Sequence, residues 1–286
     1  MLHLAGLLIF YVGYSHLALA MFTIFYLIRF IGVSISYHRY FSHRSFKTGR
    51  IFQFVLAFIG TTSGQRGPLW WAAGHRKHHR FSDTEKDIHS PHHRSLWYSH
   101  IGWLLEKESL ETDMSQVNDF KKFPEIQWIN KNHSLGIMLT FVILFLFGSF
   151  VNKFYPEFGT SGLQLLIWGG VLSTLLCCHT VLALNSLCHL TGTKAYPSKD
   201  QSSNVWWLSP LLLGEHLHNN HHFFPSSYTA AFAWYELDQM GLIIRILEKL
   251  GVVWDVKKPS HEIAMSHRIT IESNDLLMKS FSPENS

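Results

Sequence analysis

Residues 16 to 43 read HLALAMFTIFYLIRFIGVSISYHRYFSH, an apolar run that passes without a break into two histidines, His38 and His43. A spanning helix needs roughly 20 apolar residues. This stretch is longer, so the helix is expected to leave the hydrocarbon and carry His38 into water. Arg29 is placed at the membrane interface on that reading, because a charge at mid-bilayer costs about 2.5 kcal/mol or more on insertion scales and long basic side chains snorkel outward.

Working outward, residues 2 to 37 are almost continuously apolar, interrupted at Gly13 and Ser15. The pattern predicts a short first helix over about 2–11, a bend at Gly13 to Ser15, and the long helix over 16–42. The start lacks the basic region and small-residue cleavage site of a secretory signal, so it is expected to be retained structure. Two later apolar runs, 135–151 and 163–189, have the length of spans. The decade IFQFVLAFIG at 51–60 and the stretch 97–105 are too short, and are expected at the interface or against the core. From Pro259 the chain turns polar and unpatterned. One membrane domain over 1–258 and a frayed tail over 259–286 are therefore expected.

Composition agrees with a lipid setting: of 286 residues, 47% are hydrophobic and 15% aromatic. The net charge of +4 is spread among the histidine regions rather than massed, which argues against nucleic acid. Anionic headgroups or an acidic electron donor are the expected partners. Of three cysteines, Cys177 and Cys178 are adjacent within an apolar run and Cys188 follows, so no disulfide framework is expected. The loop 152–162 carries a single lysine, whereas Arg39, Arg44, Arg76, Lys77 and Arg80 flank the histidines. By the positive-inside rule the histidines face the cytoplasm.

Three clusters carry the chemistry: His38 with His43, His75-Arg-Lys-His78-His79, and His218-Asn-Asn-His221-His222. His75, His78 and His79 stand at i, i+3 and i+4, so on a helix they share a face and can converge on a metal; the last cluster repeats the pattern. His38 and His43 lie about 140° apart on a regular helix. They either serve two different ions or require the helix to unwind between them. Imidazole suits zinc, copper, iron and nickel alike, so ligand type alone does not choose the metal. Three clusters on one expected face, beside span-length runs, point to an oxygen-dependent metal centre at a bilayer surface. The isolated His3, His16, His100, His133, His179 and His261 read as ordinary polar residues.

These clusters resemble those of the membrane-bound fatty acyl desaturases of the Δ9, stearoyl-CoA type, bacterial members in particular, over roughly Tyr14 to Trp254. The resemblance rests on Tyr37-His38-Arg-Tyr-Phe-Ser-His43, on Gly67-Pro-Leu-Trp-Trp-Ala-Ala-Gly-His75, on Phe81-Ser-Asp-Thr84 followed by Asp87-Ile-His89-Ser-Pro91, on Asn185-Ser-Leu-Cys-His189-Leu-Thr-Gly192, and on Gly214-Glu-His-Leu-His218. It departs at Gly74, where relatives carry a polar or basic residue, and at Ile88, where a proline is common.

The resemblance implies an all-α integral membrane domain of four helices with a cytoplasmic histidine-rich di-iron cap. The implied iron ligands are His38, His43, His75, His78, His79, His189, His218, His221 and His222. Asn185 is implied to reach a metal through water, and Asp83, Asp87, His89 and Glu215 to orient ligands or contact the carrier's head. Trp70, Trp71, Trp97, Trp103, Trp206 and Trp207 are candidates for a substrate tunnel. The implied reaction takes O₂ and two electrons and removes two hydrogens from adjacent methylenes of a saturated C16 to C18 chain, leaving a cis double bond, Δ9 by resemblance, and water. Zinc, having no redox chemistry, does not serve. The expected substrate is an acyl-CoA or another acyl thioester or lipid. The expected donor is a separate protein, cytochrome b5-like, a ferredoxin, or a rubredoxin with its reductase, because no His-Pro-Gly-Gly haem signature occurs. The expected location is the bacterial inner membrane. Two other functions fit the histidines: a hydroxylase that adds oxygen to the chain, and a non-enzymatic membrane metal-binding or transport protein.

Overall fold

The computed structural model describes residues 1–269. Three of its helices are long and apolar enough to cross a membrane: His16–Ser42, Ser134–Phe154 and Gly162–His189. Leu2–Val12 and Arg50–Thr61 are apolar but shorter. The all-α expectation holds. Among the described residues the strands are one two-residue pairing, Lys47–Thr48 against Val253–Trp254.

Ser134–Phe154 shows how sequence makes a lipid-facing helix. Its buried positions are Gly136, Thr140, Leu144, Gly148 and Val151, a stripe of mostly small residues spaced three or four apart. Met138, Val142, Leu146 and Phe150 on the other side are exposed. Small residues let backbones approach closely, which is how helices associate where lipid is as apolar as leucine. A Cβ added at Gly148 would stand 2.6 Å from the Ser161 carbonyl oxygen, so that close approach needs glycine.

Arg29 does not snorkel outward as expected of it. It is wholly buried between helices, where its Nε donates to the Thr62 carbonyl at 3.0 Å and its Nη1 to the Gly169 carbonyl at 3.0 Å and Ser173 Oγ at 2.7 Å. A charge on a span-length helix that faces the bundle interior and meets peptide carbonyls avoids the cost of meeting lipid. Arg29 thus joins the first and third span-length helices to the end of Arg50–Thr61.

Above the spans, Pro68–Phe81, Pro124–Lys131, His218–Phe223 and Gln239–Lys249 form a cap. Phe41 and Phe120 are fully buried there with ring centroids 4.8 Å apart, each burial worth about 1.5–3 kcal/mol. Part of the expected frayed tail is ordered. His261–Ser266 is helical, Arg268 pairs with Glu236 at 2.6 Å, and the Ile269 N–H donates to the Ala195 carbonyl at 2.9 Å. Residues 270–286 lie outside the described residues.

Candidate metal centre

The long first helix does not stay α-helical. Gly32–Ser42 is π-helical, and the His43 N–H donates to the His38 carbonyl at 3.1 Å, five residues back rather than four. The wider turn returns the chain to the same face after five residues. His38 and His43 therefore stand together, with ring centroids 4.9 Å apart.

The structure gathers nine histidines into two groups. His38, His43, His75, His79 and His221 form one; His78, His189, His218 and His222 form the other. Each expected triplet is thus divided rather than gathered on one point. From Pro68–Phe81, His75 and His79 (i, i+4) enter the first group and His78 the second. From His218–Phe223, His218 and His222 enter the second and His221 the first. The two helices face each other, so each supplies both groups.

Within the groups ring nitrogens point at one another. Nε2 to Nε2 separations are 2.8 Å for His43 and His75, 2.9 Å for His38 and His221, 3.0 Å for His79 and His221, and 3.1 Å for His189 and His218. Two imidazoles bound at right angles to one ion at 2.0–2.1 Å would be separated by roughly 3 Å. The Nε2 atoms of His78 and His222 are buried with no hydrogen-bond partner among the described residues, an arrangement that costs free energy unless something meets them.

Four carboxylates hold the other ring nitrogens. His38 Nδ1 lies 2.9 Å from Glu215, His78 Nδ1 3.0 Å from Asp87, His189 Nδ1 2.7 Å from Asp83, and His222 Nδ1 2.7 Å from Asp200. A carboxylate accepts from Nδ1–H and leaves Nε2 as a lone pair, which is the form a metal needs. His189 thus presents a lone pair toward His218, a contact that a shared cation would make favourable.

The protonation energetics agree. Burial, reinforced by neighbouring imidazoles, pushes His43, His75, His79, His218 and His221 well below the ordinary imidazole range. Burial lowers His222 to about 4 against the pull of Asp200. His78 is the exception: burial lowers it, but the Asp87 carboxylate outweighs that and raises it. Burial works against the charged form of Asp83, yet the hydrogen bond to His189 brings it down to about 2. Glu215 is likewise held well below the usual carboxylate range, the Arg39 guanidinium and His38 overcoming its burial.

Of the residues expected to support ligands, Asp83, Asp87 and Glu215 touch imidazoles directly. His89 lies beside Asp87, 3.2 Å from its carboxylate, and with His78 these make a third grouping of metal-binding side chains. Asn185 lines the adjacent cavity. Asp200 was not expected. It sits in an irregular loop with no spacing to betray it, and only the fold brings it to His222. The isolated histidines also hold a surprise, since His3, His179 and His100 form a hydrogen-bonded chain (2.9 and 3.0 Å) that ends on Ser186 Oγ at 2.9 Å.

A cavity of about 690 Å³ reaches His38, His75, His89 and His218, within the roughly 300–1,000 Å³ usual for ligand sites. Trp70, Trp71 and Trp103 line it. Trp71 stacks on His75 at 4.7 Å. Trp97, Trp206 and Trp207 do not line it; they are exposed on the surface, where amphipathic rings suit a membrane interface.

Residues 12–256 match the fatty acid desaturase family. The chain belongs to that family. It is 34% identical over 246 residues to Delta-9 acyl-lipid desaturase 1 of Arabidopsis thaliana, covering 85% of this chain and 76% of that one. It is 34% identical to a hex-5-enoyl-[acyl-carrier protein] acetylenase of Moorena producens, covering 84% and 76%. It is 32% identical to acyl-CoA 5-desaturase AL21 of Anemone leveillei, covering 84% and 72%. The protein is a membrane desaturase of fatty acyl chains, with histidine groups compatible with a metal centre.

Proposed function

We propose that the two histidine groups hold two iron ions and that the protein forms a cis double bond, Δ9 by resemblance, in a saturated C16 to C18 acyl chain. His38, His43, His75, His79 and His221 would hold one ion, and His78, His189, His218 and His222 the other. The observation that carries this reading is the set of facing Nε2 atoms about 3 Å apart beside an apolar-walled cavity. Iron, once bound and reduced by a separate cytochrome b5-like, ferredoxin or rubredoxin donor, supplies the O₂ chemistry that zinc lacks.

The protein's own groups hold the reaction in place. Glu215, Asp83, Asp87 and Asp200 accept from Nδ1–H of His38, His189, His78 and His222, which fixes those rings and aims their Nε2 atoms into the groups. Trp71, stacked on His75, narrows the cavity where an acyl chain would pass the histidines. Burial of His38, His78, His189 and His218 keeps bulk water from that point. The segment 152–162 facing away from the cytoplasm, and a bacterial inner-membrane location, complete the proposed topology.

The test is fatty-acid profiling, with double-bond location, in a desaturase-deficient host expressing the protein or its His78→Ala variant. A new cis-monoene absent from the variant supports the reading. A hydroxy acid would make the protein a hydroxylase, and a protein that binds zinc, yields no product and contains no iron would return the metal-transport reading.

A further inference from the structure

Three histidines outside the two groups stand in line. His3 Nε2 lies 2.9 Å from His179 Nε2, His179 Nδ1 lies 3.0 Å from His100 Nε2, and His100 Nδ1 lies 2.9 Å from Ser186 Oγ. The order of donors is fixed from the inner end. Ser186 Oγ also bonds to the Leu182 carbonyl at 3.0 Å. A carbonyl only accepts, so the serine donates its one proton there and accepts from His100 Nδ1–H. His100 Nε2 is then a lone pair that accepts from His179 Nδ1–H, and His179 Nε2 accepts from His3 Nε2–H. His3 Nδ1 is left as the acceptor at the outer end, and every donor points inward.

The two ends differ in setting. His3 is exposed on the short apolar helix Leu2–Gly6, His179 and His100 are half-buried, and Ser186 is fully buried. Around Ser186, Leu182, Leu184 and Asn185 line the cavity that reaches His38 and His75, and Tyr98 lines it from the helix that carries His100. The last acceptor also differs from those behind the metal-facing rings. His38, His78, His189 and His222 each give the Nδ1 proton to a carboxylate, which holds the ring in one state. Here the line ends on a hydroxyl, a weaker acceptor. Burial, reinforced by His179, lowers His100 below the ordinary imidazole range, so that ring rests neutral and passes a proton on rather than keeping it. His179 belongs to a span-length helix, where an ionisable side chain is costly and where chains of such residues serve as proton paths.

We propose that His3, His179, His100 and Ser186 form a relay that carries protons from the exposed end of the line to the cavity, where reduction of O₂ consumes them. This rests on the desaturase reading above. Forming one double bond takes up O₂, two electrons from the donor and two protons, and releases two waters; the hydrogens of that water are the two removed from the chain and the two protons taken up. An acyl chain filling an apolar-walled cavity displaces the water that would otherwise bring those protons. A proton that binds His3 Nδ1 releases the Nε2 proton to His179, whose Nδ1 proton passes to His100, whose Nδ1 proton passes to Ser186. The serine hands its own proton to a water at the cavity wall beside Asn185, and the rings then turn to restore the order.

The experiment uses the iron-loaded full chain in vesicles with reduced ferredoxin and O₂, with stearoyl-CoA and stearoyl phosphatidylcholine supplied together. Turnover, KM, iron content and the rate in D₂O against H₂O are measured for the unaltered protein, His179→Gln and His3→Ala. Glutamine keeps a bonding side chain but does not relay. His179→Gln should lower kcat by about a hundredfold, the low end of what a positioned proton donor contributes, with KM and iron content unchanged and a larger solvent isotope effect. His3→Ala, at the exposed end, should lose less, and added imidazole should restore it. Unchanged turnover in either variant, a His179→Gln loss that comes with lost iron or raised KM, or a His3→Ala loss that imidazole does not restore overturns the relay and leaves the three rings as a tether. Unaltered iron-loaded protein that makes no monoene overturns instead the desaturase reading beneath it.

Discussion

Around His78, His189, His218 and His222 three carboxylates, Asp87, Asp83 and Asp200, each accept from a ring Nδ1. Around His38, His43, His75, His79 and His221, among the described residues, only Glu215 does so, and Arg39 stands 2.8 Å from it. The same helices feed both groups, so the difference lies in what surrounds them. A carboxylate behind an imidazole raises its basicity as a ligand and fixes its ring. The second group has net negative backing, and the backing of the first is neutralised. The first is also more open: His43, His75 and His79 are half-buried, whereas His78, His189 and His218 are buried. The proposed centre is thus asymmetric, with one ion held tightly and the other more readily lost.

Removing a ligand from either side should have the largest effect. His78→Ala and His221→Ala should each bring product below detection in the profiled host. Appreciable monoene from either would deny that both groups are needed.

Asp200→Asn comes next. It keeps the shape but weakens the acceptor behind His222, and metal affinity should fall about 10–100-fold, read by chelator competition on the purified protein. Glu215→Gln should sharpen the contrast, because its charge chiefly answers Arg39. Breaking a buried ion pair costs about 3–5 kcal/mol, so the expected result is a melting temperature lower by roughly 10 °C, with a smaller change in affinity. If the two variants exchanged these phenotypes, the proposed division of labour would be wrong.

Acid should act in the direction set by burial. His43, His75, His79, His218 and His221, and His222 at about 4, are depressed in the folded metal-free protein. An imidazole exposed by unfolding titrates near 6.5. Between those values the unfolded chain binds more protons, so stability rises with pH and is lost as pH falls below about 6.5 toward 4. His78, raised by Asp87, opposes this in part. Denaturant midpoints of the metal-free protein at pH 7, 6 and 5 should therefore fall in that order, and a flat profile would contradict it. The smallest effect is expected at Trp97→Ala: that ring lies outside the cavity, and turnover should change less than for Trp71→Ala.

Much of this was legible from spacing. The long run from His16, the two later span-length runs and the three histidine clusters are written in hydropathy and i, i+3, i+4 periodicity, which local sequence carries. What escaped depended on tertiary context. Arg29 reads as a side chain that snorkels outward until the Thr62, Gly169 and Ser173 groups that receive it are brought near. Unwinding of the helix between His38 and His43 was one of two open possibilities, and that it takes the form of a π-helical stretch was not legible, because a five-residue spacing has no meaning until the backbone pitch is known. Division of the His75 and His218 triplets between two groups follows from two helices facing each other, which neither reveals alone. Asp200 lies in an irregular loop more than 20 residues before its partner His222, with no periodicity to mark it.

The most direct test is metal content with Mössbauer spectra of iron-loaded protein, unaltered and as His189→Ala. Two irons per chain in distinct environments, reduced in the variant to one that keeps the signature of the His43 side, is the predicted result. A single iron per chain in the unaltered protein, or two that vanish together with one signature, would contradict two separate and unequal sites.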